Sequence, residues 1–448
     1  MEIQNVTSLQ TFFIFFVYAY SRSIRNRLGV GVPLLNVGGN WNNSANAGLS
    51  YFNANNDFSN SNNNIGSRLA NIPELTLGLG PHLLVKNKIP QDRLVDVSKV
   101  GTEGHRMKRI GHIFPILTSM DTLQKASKES CSSRKDKMEV AQFKENEQTL
   151  LNTLRETLIN GNYSSSEYRT FTIKEKGKER FISDLPLYPD RILHWAICIS
   201  CEERFNAKLI DQTYASIPGR GYHDAVRKVY GYIQSDPKIR YALVFDVHKF
   251  FQSLDRTILK DKMDKTFKDS RFLELMKQLI DEYPYSGIPI GNRYSPMLAN
   301  LYLNEFDHTL KEKHHVHYYV RFMDDCCILG YSKEWLHKIL KLITELLSEL
   351  KLELKKNYQI FPIDSRGIHF LGYDIFSDHI RLRKETKQRM IHSLNSIKTQ
   401  QSDKSYLLTE HDKGVLSSYK GVLKICNGKR LQEKYILPIY AENEKREY

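Results

Sequence analysis

The chain has 448 residues, too many for one compact core, so two or three domains are expected. Apolar residues make up 41%, as in a globular protein, and six cysteines over this length give no disulfide framework, which favours a reducing, cytoplasmic setting. With 65 Lys+Arg against 51 Asp+Glu, the formal charge of +14 is the sign expected for a polyanion partner, without identifying one.

Residues 11–20, TFFIFFVYAY, form a short apolar run followed by Arg22, Arg25 and Arg27. The run is too short to span a bilayer, and its positive charges follow it rather than precede it as in a signal peptide, so no membrane segment is expected. Residues 36–71 contain 13 asparagines and read as loop or disorder. The chain up to residue 104 is nearly neutral, with 8 Lys+Arg and 6 Asp+Glu, so most of the basic excess lies beyond it.

From residue 107 helical and strand-like segments alternate. QTLLNTLRETLI (148–159) has apolar residues at helical spacing, and SEYRTFTIKEKGKERFIS (166–183) reads as a hairpin with Lys176 and Gly177 at its turn. DRILHWAICISCEERFN (190–206) reads as an apolar helix. His194, Cys198 and Cys201 share one of its faces as a partial zinc set, but no fourth ligand follows, and buried cysteines packing as small hydrophobes are the plainer reading.

RYALVFDVHKFFQSLDRTILKDKM (240–263) begins with a β-branched and aromatic strand that carries Asp246 near its end. A helix follows, which Asp246 could merely cap. YSGIPIGNRYSPMLANLYLNEFDHTLKEK (285–313) is a glycine-rich turn opening a helix, with Ser295 as the expected N-cap and Pro296 at the first helical position. HYYVRFMDDCCILG (317–330) reads as a buried hairpin with Asp324 and Asp325 between its apolar runs. Asp-Asp alone is an ordinary turn dipeptide. A strand with one carboxylate and a hairpin with two more, however, is the arrangement a two-metal phosphoryl-transfer site requires. Hard oxygen ligands of this kind suit Mg²⁺.

The ordered set FDVHKFFQSLD, GIPIGNRYSP, YVRFMDD, LKLELKKNYQIF and IHFLGYDIF resembles the palm motifs of reverse transcriptases over residues 107–440. Within that superfamily it is most similar to the enzymes of diversity-generating retroelements, which copy a template-repeat RNA with frequent errors at adenines. Ile290 before the glycine is typical of that group. Ser295-Pro296 departs from its usual Ser-Gln and is shared with retron and group II intron enzymes. VGGNWNNSANAGLSYF and SNSNNNIGSR resemble the repeat segment of the elements' target proteins. Residues 36–71 are accordingly read as template repeat translated in frame, within a disordered, asparagine-rich extension over 1–106, with the enzyme starting at Met107; a genuine disordered arm is the alternative.

The resemblance implies an α+β right-hand polymerase, with fingers and palm (antiparallel sheet plus helices) over 107–383 and a short helical thumb over 384–448. It implies an RNA-directed DNA polymerase with two Mg²⁺ ions, or Mn²⁺ in their place. Asp246, Asp324 and Asp325 would be the catalytic ligands, with the Val247 carbonyl beside them. Lys178 and Arg180 would grip the incoming triphosphate. Phe251 would be the steric gate against a 2′-hydroxyl, and Ile290 and Gly291 would face the nucleotide. Phe370, Leu371, Gly372 and Tyr373 would be the primer grip, and Lys356 lies near the motif that supplies a proton to pyrophosphate. The implied partners are template RNA, the cDNA or primer strand, deoxynucleotides and a small basic accessory protein.

Overall fold

The computed structural model describes residues 108–132, 138–175, 178–403 and 405–447, together with four two-residue strands between 36 and 66. In the asparagine-rich tract Asn36–Val37 pairs antiparallel with Phe52–Asn53, and Gly39–Asn40 with Ile65–Gly66. The rest of 1–107, with the apolar run at 11–20 and Met107, lies outside the described residues, and so do most of the residues on which the template-repeat reading rests.

Two compact units divide the chain, Met1–Gly101 and Thr102–Tyr448, and the second is built from helices α1 (Met120–Ser132), α2 (Met138–Glu145) and α3 (Glu147–Ile159), the hairpin β1 (Arg169–Glu175) and β2 (Lys178–Asp184), then α4 (Ile192–Asn206) and α5 (Tyr222–Ser235). Next come β3 (Tyr241–Phe245), α6 (Arg256–Thr266), α7 (Ser270–Asp281), α8 (Ser295–His308), β4 (Tyr319–Phe322), β5 (Asp325–Gly330) and α9 (Lys333–Glu349). The chain continues through β6 (Gln359–Pro362), β7 (Ile368–Phe370), β8 (Tyr373–Ile375) and β9 (Ile380–Leu382), and ends in α10 (Lys384–Gln400), α11 (Glu410–Leu423) and α12 (Leu437–Glu447). This is a mixed helix and sheet architecture in which every strand pairing is antiparallel. Among the described residues no helix is long and apolar enough to cross a membrane.

A four-stranded sheet of order β6-β3-β5-β4 organises the unit. Its period-2 side chains feed two cores. Leu243, Phe245, Tyr319, Cys326 and Ile328 enter a core shared with α1, α3, α4, α6, α7, α8 and α9. Ala242, Val320, Cys327, Leu329 and Phe361 enter the other. That second core holds the three-stranded sheet β7-β8-β9 and the helices α10 to α12, through Phe370, Tyr373, Met390, Leu394, Leu416 and Ile439. Because both faces are covered, the central strands are apolar throughout, and truncating Leu243 to Ala would cost about 2–5 kcal/mol. The outer edge of β4 is covered in turn: Arg321 N donates to Gln212 O (3.0 Å) and Tyr214 N donates to Arg321 O (3.0 Å).

Local signals set the helix ends. Asp255 caps α6 by accepting from Thr257 N (2.9 Å) and Ile258 N (3.0 Å), so the cap is Asp255 and not Asp246. Helix α8 corrects an expectation: it begins with Tyr294 as its cap, Pro296 sits one position further in, and the buried Ser295 Oγ has no partner. Tyr294 is already in the αR region (φ −82°, ψ −16°), so the turn closes one residue early and leaves Ser295 inside the helix. In α4, Cys198 and Cys201 are buried as expected of small hydrophobes, with burial pushing Cys198 up to about 12 and Cys201 well above its ordinary range. Protonated thiols of this kind are poor zinc ligands.

Candidate active site

Strand β3 ends at Phe245, which pairs with Cys326, so the next residue, Asp246, emerges beside the tip of the β4–β5 hairpin. That tip is a two-residue turn, Met323–Asp324, closed by the pair Phe322–Asp325, with Met323 in the left-handed region (φ 58°). Asp246 and Asp324 therefore converge from separate strands. Burial pushes the Asp324 carboxyl up, its own backbone N–H lowers it, the Asp246 charge raises it further, and Lys355 and Arg180 pull it back. A carboxyl raised both by burial and by a neighbouring carboxylate lies with that neighbour in a desolvated space.

One oxygen of Asp246 is paired and the other is not. Oδ2 accepts from Lys355 Nζ at 2.5 Å, whereas the buried Oδ1 has no hydrogen-bond partner. The following segment is fixed to the irregular stretch between α9 and β6: Lys355 N donates to Asp246 O (3.1 Å), His248 N donates to Glu353 O (2.8 Å), and Val247 bridges Leu354. Lys355, and not its neighbour Lys356, thus reaches the acidic site. Asp325 begins β5 and is exposed. Among the described residues no group of three His, Cys, Asp or Glu side chains is assembled to hold a metal ion. An orphaned buried carboxylate oxygen beside a second carboxylate nonetheless fits Mg²⁺, which is commonly held by one or two carboxylates completed by substrate phosphates.

Three residues before Asp324 lies a second charged group, on the opposite side of the hairpin tip. Arg321 and Asp307 are both fully buried. Arg321 Nε donates to both Asp307 oxygens (2.9 and 3.0 Å), Nη2 donates to Oδ2 (2.5 Å), and Nη1 donates to Asn300 Oδ1 and Met323 O (3.0 Å each). Tyr319 Oη donates to Asp307 Oδ1 at 2.8 Å. The bond to the Met323 carbonyl holds the turn that presents Asp324. No role was expected for this pair; the available signal is Asn300 and Asp307, seven residues apart on the buried stripe of α8.

The glycine loop before α8 lies between the other two expected groups. Ile288 N donates to Phe251 O (2.9 Å), and Ser183 N of β2 donates to Ile290 O (2.9 Å). Gly287 (φ 70°) and Gly291 (φ 135°) leave no space for a Cβ, which would collide with the Phe251 carbonyl and the Ser183 carbonyl respectively. The loop is therefore bound to Phe251 on one side and to the β1–β2 hairpin on the other. In that hairpin Arg180 pairs with Ile173 and Lys178 with Glu175, and the charge of Arg180 reaches Asp324. Phe370 and Tyr373 are buried at the facing ends of β7 and β8, joined by Leu371 (φ 49°) and Gly372 (φ 88°), and Tyr373 Oη donates to Val422 O of α11 at 3.0 Å. These four residues belong to the three-stranded sheet, not to the sheet that carries the carboxylates.

Residues 173–375 match the family model for reverse transcriptase (RNA-dependent DNA polymerase). The chain is 27% identical to Protein YkfC of Escherichia coli (strain K12), over 37% of this chain and 46% of that protein. It is 23% identical to the group II intron-encoded protein LtrA of Lactococcus lactis subsp. cremoris, over 49% of this chain and 48% of the relative. The chain thus spans about half the length of the curated relatives it matches. Among solved structures, apo telomerase from Candida tropicalis aligns at 13% identity with a TM-score of 0.38, covering 56% of this chain and 57% of that one. The matched segment runs from within β1 to the end of β8 and encloses Arg180, Asp246, the glycine loop and Asp324. The match of residues 173–375 to this family model, together with the similarity to an intron-encoded relative, supports an RNA-directed DNA polymerase.

Proposed function

We propose that this chain copies a template-repeat RNA into error-prone cDNA, as the polymerase of a diversity-generating retroelement. The observation that carries the polymerase part is the unpartnered Oδ1 of Asp246 facing the raised carboxyl of Asp324 inside a reverse transcriptase domain. The retroelement part is supported by Ile290 and by the resemblance of the asparagine-rich tract to a target-gene repeat.

In the reaction the primer 3′-oxygen bonds to the α-phosphorus of a deoxynucleotide, and the bond from that phosphorus to pyrophosphate breaks. Asp246 and Asp324, with Asp325 and the Val247 carbonyl as further ligands, hold two divalent ions, Mg²⁺ or Mn²⁺; when bound, these supply activation of the 3′-hydroxyl and charge neutralisation at pyrophosphate. Arg180 and Lys178 hold the triphosphate, for which a guanidinium fork and an ammonium are suited donors. Lys355, resting on Asp246, orients that carboxylate. Phe251 blocks a 2′-hydroxyl, and the bare backbone at Gly291 lies under the nucleotide beside Ile290. The right-hand reading assigns the β1–β2 region to the fingers, the four-stranded sheet to the palm, Phe370–Tyr373 to the primer grip and α10 to α12 to the thumb, whose basic surface tracks the duplex phosphates. A small basic accessory protein completes the assembly.

A second reading, a retron-like or antiphage-defence reverse transcriptase, is favoured by Ser295-Pro296 and by the similarity to a group II intron-encoded relative. Sequencing the cDNA made on an adenine-containing RNA decides between them. Frequent errors opposite template adenine are expected; accurate copying with the accessory partner present favours the second reading.

A further inference from the structure

We infer that Arg256, which lies outside the catalytic carboxylates, is the positioning residue that sets sugar selection at Phe251. The inference rests on the polymerase reading, and within it on Phe251 as the gate. Arg256 opens α6 directly after its cap, Asp255. Its Nε donates to Gly287 O at 2.9 Å, and its Nη2 donates to the carbonyls of Tyr283 (2.8 Å) and Tyr285. The guanidinium also lies 5.6 Å from the Tyr283 ring centroid. One planar cation thus gathers three carbonyls of the loop, a pattern that the single ammonium of a lysine does not reproduce.

The loop gathered in this way is the one that frames the gate. Its Ile288 N–H bonds the Phe251 carbonyl, and Gly287 is pressed against the same carbonyl. On the other side Tyr283 Oη pairs with Ser183 Oγ at 3.1 Å, and the Tyr285 ring meets Phe181 edge-on at 5.0 Å, both on β2. Phe251 itself is only partly buried, on the single helical turn Phe250–Ser253. A steric gate discriminates only as far as its ring cannot retreat. Arg256 ties the wall behind Phe251 to the helix that follows it, while Asp246 and Asp324 are anchored separately on the sheet. Releasing the wall should therefore affect which sugar is accepted before it affects the chemical step.

The test measures kcat/KM for a deoxynucleotide and its matching ribonucleotide, using the full chain with a primer annealed to an RNA template. The proteins are wild type, Arg256→Ala, Arg256→Lys, Phe251→Ala and the Arg256→Ala/Phe251→Ala double variant. Arg256→Ala is expected to lower the deoxy-to-ribo ratio roughly tenfold, mainly through better use of the ribonucleotide, with deoxynucleotide kcat changed no more than a few-fold. Arg256→Lys should fall between, and the effect should largely vanish in the Phe251→Ala background, because both changes act through one ring. A residue serving only stability would reduce both substrates alike and lower the thermal midpoint with the ratio unchanged. That result, or an Arg256→Ala effect undiminished by Phe251→Ala, overturns the inference. Should Arg256→Ala fail to fold, an unchanged ratio in Arg256→Lys overturns it equally. A wild type that extends no primer overturns the polymerase reading itself, and this inference with it.

Discussion

The β4–β5 hairpin lies between two acidic groups that are treated in opposite ways. Asp307, held behind the hairpin on α8, is completely buried, and its two oxygens accept hydrogen bonds from Arg321, Tyr319 and Thr213. Asp246, at the front, keeps one buried oxygen without a partner and faces a second carboxylate. A buried charge is tolerable when its partners are complete, and one left incomplete must be offset by stability elsewhere or by something that binds. The satisfied group fixes the hairpin; the unsatisfied one is where binding energy can be gained. Around one hairpin, saturation marks structure and its absence marks the site.

This contrast can be broken most severely at the front. Asp246→Asn or Asp324→Asn is expected to lower Mg²⁺-dependent primer extension by about 10³-fold or more, roughly 4 kcal/mol of transition-state stabilisation, with binding to the RNA–primer duplex retained. Extension close to wild type in either variant would remove these carboxylates from the reaction.

Breaking the back should instead act on the fold. Arg321→Met leaves Asp307 buried without its cation and should destabilise the chain by about 3–5 kcal/mol, read by denaturant unfolding. The double change Arg321→Met/Asp307→Leu should recover most of that loss, since the cost lies in the stranded charge. A double variant as unstable as the single one would show that the pair does more than complete itself.

A smaller effect sharpens the comparison by its sign. Asp324 has a raised carboxyl in the folded state, so ionising it disfavours folding. Below the unfolded carboxylate pKa both states are protonated and there is no penalty; the penalty grows as pH rises from there through the folded value and is complete above it. Asp324→Asn should therefore raise stability at neutral pH while abolishing extension, and should flatten this part of the pH–stability curve. A variant no more stable than wild type at neutral pH would refute the assignment of Asp324 as a strained group. The smallest expected change is at Ile290, where Gln can offer a hydrogen bond that Ile cannot. Ile290→Gln should lower misincorporation opposite template adenine several-fold, on the order of 1 kcal/mol, measured by cDNA sequencing.

Much of the sheet was legible because its strands are short continuous apolar runs: YALVF and CCILG carry apolar residues on both faces, as strands between two cores must. The helix starting at Lys384 falls where the resemblance implied a helical segment. Asp246 and Asp324 could be picked out because a carboxylate at the end of an apolar strand is anomalous. What could not be read was pairing over distance. Arg321 and Asp307 are joined only by how α8 lies against the hairpin; the polar pair Asn300 and Asp307 on the buried stripe of α8 signals a buried partner without saying which. Lys355 rather than Lys356 reaches Asp246 because the segment between α9 and β6 is irregular, so neither a helical nor a strand period tells which of two adjacent lysines points inward. Ser295 failed as a cap for a similar reason: the backbone of Tyr294 had already entered the helix.

The short parallel bridge along the outside of β4 has a consequence for life in a crowded cell. Two backbone hydrogen bonds, from Arg321 to Gln212 and from Tyr214 to Arg321, occupy the groups with which a passing strand would pair. The opposite margin of the sheet is β6, only four residues long and closed by Pro362, which has no N–H to offer. A sheet buried on both faces must be made of the sticky, β-branched and aromatic segments that seed aggregates when their margins are open. By closing one margin with its own loop and clipping the other short, the chain can keep such a sheet without recruiting its neighbours into it.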